Sequence, residues 1–165
     1  MIVGQRIRPG QLLVLYDGIC GLCAQLHQTL SAVDVMKRLG WLPLQTPGLL
    51  EVVGIPEEEA VQTVWAITPD GQRICGGETV AQVLDCLVPA PLPVFARLRQ
   101  MEALRRVVGP LFHLVSEKRR ELWACPADAA RGKQFKPLSW REEAELRARL
   151  GLLPADAGAG GSVHA

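Results

Sequence analysis

The chain has 165 residues, 48% of them hydrophobic, enough to bury a core without covalent staples. Its 18 basic and 17 acidic residues leave a formal charge of +1, which excludes an overall field that recruits nucleic acid or an anionic membrane. No apolar run is long enough to span a bilayer, and the stretch MIVGQRIRPGQLLVLYDG lacks the apolar centre and cleavage site of a signal peptide, so a cytoplasmic location is expected.

Gln11 to Tyr16 (QLLVLY) is almost purely apolar, the pattern of a strand covered on both faces. It ends at Asp17-Gly18. From Gly21 to Leu39 the spacing of Leu22, Leu26, Leu30 and Val33 predicts a helix, with Lys37 and Arg38 suited to its negative end and Gly40 as the stop. Trp41 to Gln45 (WLPLQ) reads as a second short strand. Pro43 places it at a sheet edge, because proline cannot donate to a ladder. Residues 47–60 read as one or two short helical turns. TVWAIT (63–68) and QRIC (72–75) flank Pro69-Asp70-Gly71, a hairpin signal. Gly76-Gly77 breaks the last strand, and residues 79–88 supply a helix with Val80, Val83, Leu84 and Leu87 on its apolar face.

After Pro89 to Pro93 the chain becomes arginine-rich and helical, broken at Gly109-Pro110. A boundary near residue 90 therefore divides an α/β domain (10–90) from a helical extension (91–150). Phe95, Leu98, Met101, Leu104, Val108, Leu111, Phe112 and Val115 form a stripe opposed by Arg97, Arg99, Arg105 and Arg106, read as a helical pair packed on the domain in preference to a membrane-surface helix. Ser139 opens a last short helix, and residues 151–165 read as a disordered tail.

Strand, helix, strand, hairpin and helix, with Cys20-Gly21-Leu22-Cys23 at the first strand-to-helix junction, is the arrangement of a thioredoxin-like fold. The expected class is α/β, a four-stranded mixed sheet with flanking helices plus the C-terminal helical extension. In a reducing cytosol five cysteines are poorly suited to a disulfide framework, so a close pair points to catalysis or metal binding. At a helix start, unpaired N–H groups and the positive dipole end stabilise a thiolate, and a thiol there can ionise well below the free value of about 8.5. Cys20 is then the attacking thiol. Cys23, one turn on, resolves the mixed disulfide by attacking the Cys20 sulfur. Asp17 stands three residues before Cys20, where its carboxylate opposes a thiolate. Two roles remain for it: taking and returning a proton during exchange, or accepting N–H bonds in the Asp-Gly turn. Cys20, Cys23 and Asp17 are the catalytic candidates, and no cofactor is expected.

The segment VLYDGICGLC resembles the signature of the DCC family of thiol-disulfide oxidoreductases, named for an Asp-x-x-Cys-x-x-Cys motif that Asp17, Cys20 and Cys23 match one for one. LPLQTPG resembles the family's Pro-Leu-Gln segment after the first helix. The resemblance runs from about Leu12 to about Trp123 and includes SEKRRELW. It implies a thioredoxin-like redox protein acting on a thiol or disulfide, small molecule or protein. Ordinary thioredoxins carry a proline just before the strand that TVWAIT supplies here; this chain has none.

Other candidates are weaker. Cys75 ends a strand on the same sheet edge as Cys20 and is either a third exchanging thiol or a buried small residue, the latter favoured by the usual burial of cysteine. Gly76 and Gly77 either admit a substrate backbone or turn the chain. Cys86 lies on an apolar helix face, and Cys125 has no partner spacing. His27, four residues beyond Cys23, could complete a three-ligand metal set with the pair, but no fourth ligand is evident. Ala24 stands where a c-type haem site needs histidine, and Ile19 where a phosphate-transfer aspartate pair needs its second acid. The rival function is a non-catalytic module, binding metal through the CxxC or a protein partner through the arginine-rich helices.

Overall fold

The computed structural model describes residues 7–87 and 134–152. The expected boundary near residue 90, the arginine-rich helices, Cys125 and the tail from residue 153 lie outside the described residues. β1 (Leu12–Tyr16) leads into α1 (Gly21–Val33) and β2 (Leu39–Pro43). Two short helices follow, α2 (Leu49–Val53) and α3 (Glu57–Ala60), then β3 (Trp65–Ile67), β4 (Arg73–Cys75), α4 (Gly77–Leu87) and α5 (Trp140–Arg149).

The strands form one mixed sheet in the order β2-β1-β3-β4. β1 pairs in parallel with β2, with Tyr16 opposite Pro43, and antiparallel with β3, with Leu15 opposite Trp65. β3 and β4 form the hairpin, with Trp65 opposite Cys75. β2 is an edge, as Pro43 requires. β1 is central and every one of its residues is buried, so its side chains divide between two cores. Leu13 and Leu15 join Leu42, Leu49, Val53, Ile67 and Leu146 under α2, α3 and α5. Leu12 and Val14 join Leu39, Ala66, Ile74 and Val83 on the opposite face, with Leu30 of α1 and Leu87 of α4 against them.

α5 closes the first face. Its start is a capping box: Ser139 Oγ accepts from Glu142 N at 3.4 Å, and Glu142 Oε2 accepts from Ser139 N at 2.8 Å, satisfying two donors that the helix leaves open. Near its end the Arg149 side chain is only 4% exposed and pairs with Glu145 at 2.9 Å. The same guanidinium donates to the carbonyls of Gln11 and Arg8, tying the helix to the entrance of β1. A Cβ at Gly71 would fall 1.8 Å from Arg149 O, and its φ is +86°, so the hairpin turn admits only glycine on both counts.

Two sequence expectations need correction. α1 ends at Val33, not Leu39. Asp34, 2% exposed, accepts from Arg38 N and Leu39 N at 3.0 and 2.9 Å. Its carboxylate thus draws the chain out of the helix and into β2. Lys37 and Arg38 lie past the helix, and Gly40 lies within β2, where a Cβ would stand 2.6 Å from Leu13 Cδ2. The apolar stripe of α4 is also rotated. Thr79, Ala81 and Val83 are its buried residues, while Val80 is 40% exposed.

Candidate functional site

The strand that carries the site stops at Tyr16, and the next four residues form a tight turn. Cys20 N donates to Asp17 O at 3.2 Å, and Ile19 N donates to Asp17 Oδ1 at 3.0 Å. The carboxylate thereby closes an Asx turn, so the turn role considered for Asp17 is present in the structure. Cys20 is the N-cap of α1, with extended backbone angles of −74° and 121°. Its carbonyl accepts the first helical bond, from Ala24 N at 2.9 Å. Cys23 follows one turn into the helix, and both cysteines are half-buried.

The turn is held from outside by two residues to which the sequence reading gave no role. Gln45 Nε2 donates to Asp17 Oδ1 at 2.8 Å, while Gln45 Oε1 accepts from Gly18 N at 2.9 Å. Phe135, from the segment leading into α5, lies over Gly18: a Cβ there would stand 2.6 Å from its ring. The available signal for Gln45 was the likeness of LPLQTPG to the family's Pro-Leu-Gln segment, which marks the residue without giving it a partner. No local pattern announces Phe135. Beyond it, a hollow is bounded by Leu42, Pro43, Thr46, Phe135 and Leu138, and neither Cys20 nor Cys23 lines it.

α1 lies on the sheet through aromatic contacts. His27 stacks on Tyr16 at 4.8 Å between centroids and sits 5.1 Å from Trp41. Burial holds the His27 imidazole below its ordinary value and pushes the Tyr16 phenol up, since both charged forms lose water there. Among the described residues no group of three or more His, Cys, Asp or Glu side chains gathers to hold a metal ion.

Cys75 differs from the burial expected of it. It is exposed, because it is the last residue of an edge strand. Pairing through Trp65 to Leu15 puts it on the expected sheet edge, but on the face of Leu15, opposite the face that carries α1. Cys86 is packed against the second core, and burial raises its thiol. Gly76 turns the chain at φ +61°, and its N–H donates to Val64 O at 2.9 Å.

A family model for DCC1-like thiol-disulfide oxidoreductases matches residues 14–125. The chain belongs to this family. Among curated proteins and solved structures, none matches it. The four-stranded mixed sheet with flanking helices is the thioredoxin-like α/β fold of the DCC1-like family. The matched span holds Asp17, Cys20, Cys23 and Gln45. Phe135 and Leu146 lie beyond it, so a segment outside the family match covers the turn and fills one core. No helix among the described residues is long and apolar enough to cross a membrane.

Proposed function

We propose that this DCC1-like protein exchanges disulfides through Cys20 and Cys23, with Asp17 carrying protons. The supporting observation is the placement of Cys20 as N-cap of a 13-residue helix with Cys23 one turn on, since a helix N-terminus stabilises the thiolate that does the chemistry. In the reductive direction Cys20 Sγ, as thiolate, attacks one sulfur of a substrate disulfide. A bond forms between Cys20 and that sulfur, the substrate S–S bond breaks, and the departing thiolate takes up a proton. Cys23 then gives its proton to Asp17, and its sulfur attacks Cys20 Sγ. The Cys20–Cys23 disulfide forms, the second substrate thiolate leaves, and Asp17 returns the proton to it. Two electrons pass from the cysteine pair to the substrate; one of the two protons comes from Cys23 through Asp17, and the one taken up by the first departing thiolate comes from solvent.

Asp17 suits this role because, among the described residues, both hydrogen bonds to its carboxylate fall on Oδ1, which leaves Oδ2 to exchange a proton. An odd number of cysteines, five, with Cys75 exposed, favours action in a reducing cytoplasm. The substrate is a thiol or disulfide, small molecule or protein.

The test separates the two cysteines. Cys23→Ser should trap disulfide adducts on Cys20, abolished by reductant and absent in Cys20→Ser; repeating both in Cys75→Ser removes the exposed thiol as an alternative resolver. Adducts trapped on Cys23 in Cys20→Ser alone would reverse the roles. Wild-type disulfide reduction by both variants would end the redox reading.

A further inference from the structure

The register of the sheet delivers one more residue to the exchange site. With Tyr16 opposite Pro43, Leu44 N extends the pairing by donating to Tyr16 O at 2.9 Å. The next step sets Gln45 beside Gly18. Its amide bridges two adjacent residues, giving a hydrogen to the side-chain Oδ1 of Asp17 at 2.8 Å and taking one from the backbone N of Gly18 at 2.9 Å. A primary amide does both at once, from two separate atoms. A carboxylate lacks the donor, and a reversed amide would set nitrogen against N–H and oxygen against carboxylate. A Cβ at Gly18 would meet the Phe135 ring at 2.6 Å and Gln45 Oε1 at 3.0 Å, so ring and amide close over the same turn. A hydrogen bond to a charged group is stronger than one between neutral partners.

We infer that Gln45 is a positioning residue for disulfide exchange: it fixes the Asp17 carboxylate through Oδ1, so that Oδ2 is the oxygen that takes the proton from Cys23. This rests on the proton role proposed for Asp17. Ile19 N alone would restrain Oδ1 from one side; the Gln45 amide adds the second restraint and ties it to the turn that follows β2.

Single-turnover reduction of 5,5′-dithiobis(2-nitrobenzoic acid) tests this in the full chain carrying Cys75→Ser, Cys86→Ala and Cys125→Ser. The first nitrothiobenzoate released reports attack by Cys20. The second reports resolution by Cys23. Gln45→Met, which keeps the side-chain length but neither hydrogen bond, should slow the second phase at pH 7 on the order of tenfold, the scale of one lost bond to a charged group, while the first phase holds its rate. Gln45→Glu keeps the acceptor for Gly18 N, which guards against a turn that merely loosens. It also sets a second carboxylate against Asp17, and one proton shared between the two should move the acid limb of the second phase to higher pH. A purely structural role would lower the melting temperature of both variants and leave that pH profile in place. If Asp17→Asn slows the second phase but both Gln45 variants keep the wild-type rate and profile, the inference falls and the Asp17 role stands. If Asp17→Asn itself leaves the second phase unchanged, both fall.

Discussion

On one face of the sheet Leu13, Leu15, Leu49, Val53, Ile67 and Leu146 are each at most 1% exposed. On the other, α1 carries no buried residue at all, and Leu26 and Val33 are 49% and 53% exposed. The helix bearing Cys20 and Cys23 therefore belongs to the shallow side. Directional contacts hold it there: the Asp17–Gln45–Gly18 bonds at its start, the Asp34 carboxylate at its end, and the His27 stack between. Such contacts fix geometry without large apolar burial. The two faces thus separate the deeper core from the candidate site, and the more shallowly covered side is where local opening is cheap.

The largest test of this division is Leu146→Ala. Leu146 comes from α5, outside the family match, yet is fully buried among Leu13, Leu15 and Val53. Its truncation should cost about 2–5 kcal/mol in urea denaturation, the range for a buried leucine that leaves a cavity. Hydrogen exchange of the β1 amides should accelerate accordingly. Amides of α1, opening locally, should change far less. Equal acceleration in both elements would show one cooperative unit and break the comparison.

The contrast also marks where sequence patterns suffice. The edge placement of β2, the hairpin and the Ser139 start of α5 each follow from a residue acting on its own neighbourhood: Pro43 without an N–H, Gly71 at positive φ, Ser139 as a cap. Cys20 at the start of α1 was readable for the same reason. The end of α1 was not, because Val35 and Met36 prolong the apolar character while standing 85% and 58% exposed, and the deciding event is a side-chain carboxylate capturing backbone N–H groups further on. The clamp on Asp17 was half readable. Gln45 lies in the Pro-Leu-Gln segment that the family resemblance marks, whereas Phe135 reaches Gly18 only through the tertiary return of a distant segment. Cys75 was misjudged from the average habit of cysteine; the edge position of β4 decides its exposure.

A smaller effect is expected from protonating the helix's own anchor. Burial lowers the His27 value in the folded state, so below about 6.5, the ordinary histidine value, the unfolded chain binds the proton first. Stability from this group is intact above that pH, declines as pH falls toward the folded value, and declines no further below it. His27→Phe keeps a ring on Tyr16 and Trp41 but cannot protonate. Its urea midpoint should therefore lose less than wild type between pH 7 and 5. An identical slope in both proteins would show that the stack is not where this proton acts.

The smallest effect is expected from Leu26→Gln, and it probes the shallow face most directly. Leu26 and Leu30 are one turn apart in the stripe that the helical spacing of α1 suggests, yet Leu30 packs against the second core while Leu26 is 49% exposed. Only Leu30 is held by the sheet. Replacing Leu26 by a polar residue of similar length removes little buried area, so stability should stay within about 0.5 kcal/mol of wild type, the usual range for a surface substitution. The exchange proposed for Cys20 and Cys23 should also keep its rate, because helix register and the turn before it are untouched. A loss of 2 kcal/mol or more would mean that Leu26 is buried in solution. The two faces would then be covered to similar depth, and the site helix would owe its placement to packing and not to the Asp17 clamp and the His27 stack.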